Sequence, residues 1–271
     1  MLAPRAAAAA VAAVCLFSPL LRAADNQLTP AEKAAGWKLL FDGKTYDNWV
    51  DPTAKRPPGD SFVIEDGCLK AVPHPAITED LFSADEYRDF ELVWDWKISP
   101  RGNSGLKYRI QKHVFIVSGR FPKFEDSVNA SLEHPRSDRP ARGQDYVIGF
   151  EYQITDNTAN SDAIHNGPKH QSAALYDIFA ASRDVARPVG EFNHSRLVVQ
   201  GDHVEHWLNG VKVVDASLKD PAVAESMARR WGKDSPVYDL LVNQPRESCP
   251  ISLQNHGDAA WFKNIKIRVL K

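Results

Sequence analysis

Cysteine is scarce in this chain, with three residues of this type among 271. Cys15 falls in an apolar N-terminal stretch, which leaves Cys68 and Cys249 for the remainder of the chain. Neither of these has a histidine partner nearby in the sequence that would suggest a thiolate nucleophile. The pair is open to two interpretations, a disulfide bond or two buried free thiols.

Positive charge is not in excess either, since 33 Lys and Arg residues stand against 35 Asp and Glu residues and the formal net charge is −2. No basic run stands out. This balance argues against nucleic acid or an anionic membrane surface as a partner. Linkers rich in Pro, Gly or Ser and internal repeats are absent as well, which favours one domain over residues 25–271.

The longest apolar run, Ala6 to Leu21, is shorter than the roughly 20 residues that a membrane-spanning helix needs. It follows the positively charged Met1 to Arg5 and precedes small residues after Arg22, a pattern typical of a secretory signal. We therefore predict a signal peptide over residues 1–24 and a periplasmic or secreted mature chain with no membrane span. Lipidation at Cys15 is the weaker alternative, because Val14 is bulky and the apolar run continues past it.

Alternation of apolar and polar residues, broken by Asp-Gly and Asn-Gly turns, predicts many short strands and few helices. Such strands are typical of a sandwich of two antiparallel sheets, and the fold class is all-β. The predicted strands are Ser61–Ile64, Cys68–Val72, Phe90–Ile98, Arg196–Gln200, His203–Leu208, Val211–Asp215, Pro250–Gln254 and Ala259–Leu270.

Two stretches do not have a strand pattern. Phe115 to Asp145 is charged, contains Pro and Arg, and is weakly periodic, so we predict a long ordered loop over one face of the sandwich. Loops of this length in compact domains are often functional. Asp220 to Trp231 has helical composition and predicts a short helix at the sandwich edge.

One strand combines a core face with a polar face. Phe150, Tyr152 and Ile154 lie on one side of it, so Glu151 and Gln153 lie on the other, because side chains in a strand alternate. A carboxylate beside a carboxamide suits a polar ligand such as a sugar. An ordinary solvated strand face is the alternative.

Two further strands place polar groups in the same way. Asn103, Lys107 and Arg109 share a face opposite Leu106, Tyr108 and Ile110, and Gln254 and His256 share the polar side of a later strand. If these strands lie in one sheet, a base, an acid, cations and amides converge, as proton transfer next to a carbonyl requires. The structural alternatives are an ion pair of Glu151 with Arg109 or Lys107, and a turn braced by His256.

Six motifs follow one another from about Gly36 to the C-terminus. They are Gly36–Lys44 with Trp49, Asn103–Gly105, Gly149–Gln153, Gly190–Arg196, His206–Gly210, and Leu253–Gly257 with Phe262–Ile265. Together these motifs resemble the 3-keto-disaccharide hydrolase family. The sequence departs from the family pattern at Asn255, where an Asp often precedes the closing His-Gly, and before Cys249-Pro250, where a Gly is common.

The resemblance implies a concanavalin A-like jelly roll that cleaves glycosides already oxidised to a ketone at C3. A C3 ketone acidifies the C2 proton, so a base can remove it, the C1 substituent can leave, and water can add back; two-carboxylate hydrolysis is not required. On this basis we expect His256 or Glu151 as the base, Arg109 and Lys107 as supports for the oxyanion, and Asn103, Gln153 and Gln254 as ligands of hydroxyl groups. The substrate would be a glycoside or oligosaccharide supplied by a sugar 3-dehydrogenase.

Three alternatives follow from other residues. A divalent metal ion held by Glu151, His256 and a third group is one cofactor hypothesis, although no compact ligand motif announces it. Exposed tryptophans could instead form a sugar-stacking platform in a non-catalytic carbohydrate-binding module; the candidates are Trp37, Trp49, Trp207 and Trp261. An endoglucanase of the same fold class ranks last, because no Glu-x-Asp-x-x-Glu run occurs.

Overall fold

The computed structural model of the protein describes residues 24–51, 60–116, 121–136 and 141–271. The predicted signal peptide lies outside the described residues except for its last position. No helix in the described segments has both the length and the apolar character needed to cross a bilayer.

Strands dominate the described residues, as the alternating pattern predicts. Both predicted tight hairpins form, and Asp66-Gly67 and Asn209-Gly210 at their turns have the positive φ angles that such turns require. The strands are β1 (Lys38–Leu39), β2 (Trp49–Val50), β3 (Phe62–Glu65), β4 (Cys68–Ala71), β5 (Ile77–Thr78), β6 (Leu81–Ser83), β7 (Phe90–Ile98), β8 (Asn103–Ile116), β9 (Gly143–Thr155), β10 (Asn193–Gln200), β11 (His203–Leu208), β12 (Val211–Ser217), β13 (Ser252–Leu253) and β14 (Ala260–Val269).

The strands form two sheets, which confirms the predicted β-sandwich. The first sheet has the order β12-β11-β10-β7-β14-β4-β3, with β1 also paired to β14, and the second has the order β2-β6-β13-β8-β9-β5. All of these pairings are antiparallel except that of β5 with β9. The strands that carry the predicted polar residues, β8, β9 and β13, are therefore neighbours in the second sheet.

The core lies between the sheets and is built from large aromatic side chains. Trp94 of the first sheet meets Tyr152 of the second edge to face, with ring centroids 4.9 Å apart. Ser195 accepts a hydrogen bond from the Trp96 indole at 2.8 Å and lies 2.8 Å from the Tyr152 hydroxyl. His206 is also inside, 3.0 Å from the Tyr108 hydroxyl, so it is a core histidine and not a ligand-binding one.

Helices lie outside the two sheets. The predicted helix at Asp220 to Trp231 is confirmed. The insertion between Phe115 and Asp145 contains a further helix that the weak periodicity did not reveal. The helices are α1 (Pro30–Ala34), α2 (Phe124–Glu133), α3 (Ser161–Asn166), α4 (Pro221–Trp231) and α5 (Pro236–Tyr238), with a 3₁₀ turn at Pro168–His170 and a π turn at Asp239–Asn243.

The two cysteines of the described chain are free and buried. Burial raises the pKa of the Cys249 thiol to about 11 and also raises that of Cys68. Both groups are therefore protonated near neutral pH, and the interpretation as two buried free thiols describes this structure.

Candidate active site

A polar cavity of about 310 Å³ opens on the outer face of the second sheet. The register of this sheet creates it, because Lys107 pairs with both Glu151 and Ser252 in neighbouring strands, and Gly105 pairs with Gln153. Five of the predicted site residues line the cavity together: Asn103, Glu151, Gln153, Gln254 and His256.

Glu151 lies at the inner end of the cavity, and its side chain is 13% exposed. Burial raises its pKa above the ordinary value of 4.5, while the positive charges of Lys107, His256 and Arg230 act in the opposite direction. A buried carboxylate is a stronger base than a solvated one, since the charged form has lost its hydration. His256 is exposed and lies at the rim.

Lys107 is close to Glu151 but does not line the cavity. Its side chain is 3% exposed, its Nζ is 3.9 Å from Glu151 Oε2, and it donates a hydrogen bond to the Val147 carbonyl at 3.1 Å. Behind it lies Asp80, whose pKa burial raises to about 7 against the effect of the Lys107 charge. Lys107 is therefore the buried counter-ion of the carboxyl groups of Glu151 and Asp80, and it lies beneath Glu151.

The expectation that Arg109 faces this cavity is wrong. Arg109 has a φ of 51°, and the register of β8 on β9 shifts between Tyr108 and Lys112. This bulge ends the simple alternation on which the expectation rested. The Arg109 guanidinium instead donates hydrogen bonds to the carbonyls of Glu247 and Gly201 and is not among the lining groups.

Two amide oxygens of the cavity are buried and have no hydrogen-bond partner in the described chain. They belong to Asn103 and Gln254, both at most 6% exposed. Unpaired buried acceptors cost free energy, so a ligand that brings hydroxyl donors compensates for them. Gln153 differs, because its Oε1 accepts from the Ile154 amide at 3.1 Å and its Nε2 lies 3.5 Å from the His170 carbonyl.

Half of the residues that line the cavity were not predicted from the alternation of side chains in strands. Phe124 of α2 and Arg230 of α4 reach the cavity from helices, and no alternation rule positions a helix over a strand. The Arg229-Arg230 doublet in the predicted helix was the one sequence feature that could have indicated a cation from this helix at the site. The additional lining residues are Phe124, Gln144, Tyr146, Tyr176 and Arg230.

Asn255, where the family pattern often has Asp, is a structural residue. Its amide donates to the carbonyls of Ser61 at 2.7 Å and Val72 at 3.0 Å, and its Oδ1 accepts from the Gly257 amide at 2.8 Å. A carboxylate at this position could not donate the first two bonds.

Among the described residues, no cluster of three His, Cys, Asp or Glu side chains that could hold a metal ion includes Glu151 and His256. His203, Glu205 and Asp215 are the set whose ligand atoms lie within 4.8 Å of one another, and they are on the outer face of the first sheet. Lys212 already binds both carboxylates of that set. A metal held by Glu151 and His256 stays a prediction.

One of the four tryptophans named for the binding-module alternative is unavailable to a ligand. Trp49 is 2% exposed and belongs to the core. The other rings each have a cation over them: Arg268 lies 5.1 Å from the Trp37 ring, Arg196 lies 4.7 Å from Trp207, and Lys97 lies 4.6 Å from Trp261.

Comparisons with known proteins find a family model and a curated relative that match most of the chain. The model of the 3-keto-alpha-glucoside-1,2-lyase-like domain matches residues 36–268. A 3-keto-disaccharide hydrolase of Bacteroides thetaiotaomicron is 33% identical over 267 residues, which cover 94% of this chain and 86% of that protein.

Solved structures extend the comparison. The crystal structure of a candidate glycosyl hydrolase from Parabacteroides distasonis superposes with a TM-score of 0.69 at 25% identity, covering 92% of this chain and 100% of the other. A second candidate glycosyl hydrolase from the same organism has a TM-score of 0.55 at 24% identity over 86% of this chain and 99% of the other, which shows the shared fold.

Proposed function

This chain belongs to the family of 3-keto-alpha-glucoside-1,2-lyase-like domains, and from that premise we propose that it cleaves 3-keto-glycosides by elimination followed by addition of water. Family membership makes it a carbohydrate-active hydrolase. The observation that carries the finer proposal is Glu151, a largely buried carboxylate with a raised pKa that faces a polar cavity beside two unpaired amide acceptors.

The reaction begins at C2 of the sugar. Glu151 removes the C2 proton, the electron pair of that bond forms the C2=C3 double bond, and the carbonyl pair moves onto the C3 oxygen. When the ketone reforms, the C1=C2 bond forms and the C1 substituent leaves with its bonding electrons. Water then adds to C1 and C2 regains a proton.

The depth of each group in the cavity suggests its role. Glu151 is deep and largely desolvated, which suits the base that takes a carbon-bound proton. His256 is at the rim, where a leaving group departs towards solvent, so it suits the donor of a proton to that group. Asn103 and Gln254 would orient the ring by accepting hydrogen bonds from its hydroxyl groups.

The proposal also implies a preceding reaction and a place. The substrate must be oxidised at C3 by a dehydrogenase before it reaches this cavity. The N-terminal pattern of residues 1–24 supports export, so we propose that the reaction takes place outside the cytoplasm.

A chromogenic 3-keto-glucoside tests the function directly. The wild-type protein should release the chromophore, whereas Glu151→Gln and His256→Ala should lose most of the activity. Glu86→Gln and His203→Ala are matched controls at exposed positions and should behave as wild type. A wild-type protein that is inert but retains glycan binding would establish the carbohydrate-binding alternative.

A further inference from the structure

We propose that Arg230 binds the C3 oxygen of the substrate and stabilises the negative charge that forms there when the C2 proton leaves. This inference rests on the proposed function and gives to Arg230 the oxyanion role that the family resemblance implied for Arg109 and Lys107. It starts from the position of one guanidinium in the cavity wall contributed by α4.

Arg230 is held in place by groups outside the sheet. Its guanidinium carbon lies 5.3 Å from the centre of the Tyr176 ring and 4.9 Å from that of Trp231. Its Nε is 3.6 Å from Glu125 Oε1 on α2, and its side chain is 21% exposed. Aromatic rings and one acid thus fix the plane of the group.

The terminal amino groups of Arg230 are available to a ligand. Within the segments that the structure describes, they make no hydrogen bond, although the residue lines the same cavity as Glu151. A guanidinium can only donate hydrogen bonds, so the group that fits it is an acceptor oxygen, with preference for one that carries negative charge.

The other cations near the site cannot take this role. Lys107 is buried beneath Glu151 and is bonded to the Val147 carbonyl, and Arg109 is bonded to carbonyls away from the cavity. Among the described residues, Arg230 is the lining group with a permanent positive charge.

The cavity therefore offers two kinds of hydrogen-bonding group. The unpaired oxygens of Asn103 and Gln254 accept hydrogen bonds and suit sugar hydroxyls, whereas Arg230 donates and suits a carbonyl oxygen. When the C2–H electron pair becomes the C2=C3 bond, a full negative charge develops on the C3 oxygen. A fixed donor stabilises that charge more strongly than it stabilises the neutral ketone. The contribution of Arg230 should therefore appear mainly in kcat.

The test isolates proton removal from bond cleavage. In 3-keto-1,5-anhydroglucitol a hydrogen replaces the aglycone at C1, so exchange of the C2 proton with deuterium oxide measures enolate formation alone. We compare wild type with Arg230→Gln, Arg230→Lys and the control Arg229→Gln. Arg229 is the neighbouring arginine, is 58% exposed and pairs with Asp177.

We expect wild type and Arg229→Gln to exchange at similar rates. Arg230→Gln should exchange at least about 100-fold more slowly, the loss seen when a preorganised oxyanion donor is removed. Arg230→Lys keeps the charge without the planar fork and should fall between them. Thermal unfolding identifies any variant that has lost its fold. If Arg230→Gln does not fold, the comparison of Arg230→Lys with wild type tests the proposal.

The outcomes separate the two proposals. If wild type exchanges and the folded Arg230 variants exchange equally fast, the assignment of Arg230 is wrong and the elimination route stands. If wild type does not catalyse exchange, the enolate route itself is wrong and the assignment fails with it.

Discussion

The carboxylate of Glu151 lies directly over Gly105 of the neighbouring strand. A Cβ atom added at Gly105 would stand 2.5 Å from Glu151 Oε1 and 2.9 Å from its Cδ, closer than side-chain contacts allow. Gly105 has an ordinary φ angle, so its effect here is to leave space for the Glu151 side chain and not to allow a special backbone conformation. The absent side chain thus determines where the proposed base can lie.

Gly105→Ala should therefore displace the Glu151 carboxylate and reduce kcat on a 3-keto-glucoside by at least about 100-fold, since a displacement of about 1 Å can cost that much. In a double-mutant cycle with Glu151→Gln, the two losses should not add, because both variants remove the same base. Additive losses would show that Gly105 acts independently of Glu151. Thermal unfolding of each variant is the control for the fold.

Lys107→Met should move the acidic limb of the pH profile to higher pH. Burial raises the pKa of Glu151 and Lys107 counteracts that effect, so removal of the cation raises the pKa further. The base is then protonated over a wider range, and kcat/KM falls first on the acidic side. The profile of the wild type should have its acidic limb above pH 4.5, the ordinary value for Glu. An unchanged limb in the variant would contradict the coupling between these residues.

His170 should stabilise the fold in a pH-dependent way. Burial acts to lower its pKa, but Asp162 at 3.1 Å and Asp177 at 3.5 Å raise it to about 9, above the ordinary 6.5. A raised pKa means that the stabilisation is fully present below about pH 6.5 and is lost as the pH rises through about 9.

His170→Gln should therefore lower the free energy of unfolding by about 1–3 kcal/mol at pH 6 and by clearly less at pH 10. Chemical denaturation at both pH values measures this. A loss of the same size at both pH values would mean that the charge of His170 contributes nothing.

Phe124 should contribute to binding of the leaving group. The residue is 38% exposed and lines the cavity, and its ring packs edge to face on Tyr146 with centroids 5.0 Å apart. Phe124→Ala should raise KM for a 3-keto-glucoside with an aryl aglycone by roughly 10-fold, the value of one buried aromatic contact, and leave kcat nearly unchanged. The methyl 3-keto-glucoside is the matched control, on which the variant should behave as wild type. An equal effect on both substrates would show that Phe124 does not contact the leaving group.

The fold and half of the site followed from periodicity in the sequence. Phe150, Tyr152 and Ile154 are buried as their spacing predicts, and the same alternation directs Glu151 and Gln153 to the cavity. These predictions succeed because strand geometry and burial are local consequences of side-chain order.

The other half of the site depends on features that the alternation of side chains does not encode. The bulge at Arg109 turns one predicted cation away, and nothing in the surrounding residue pattern announces its positive φ angle. Arg230 reaches the cavity because α4 lies beside β9, where the Trp231 ring is 5.9 Å from that of Tyr146, and this is a tertiary contact between distant parts of the chain. Asp80 becomes significant only through its burial beside Lys107.

The central claim is that cleavage proceeds through removal of the C2 proton, and the fate of that proton tests it most directly. A 3-keto-glucoside is cleaved by the wild-type protein in deuterium oxide, and the released 3-keto-sugar is examined by NMR as it forms, beside an enzyme-free sample of the same sugar. The account predicts deuterium at C2 of the product from the first turnovers, with none in the control. A product that keeps its original hydrogen at C2 while the glycosidic bond is broken would contradict it.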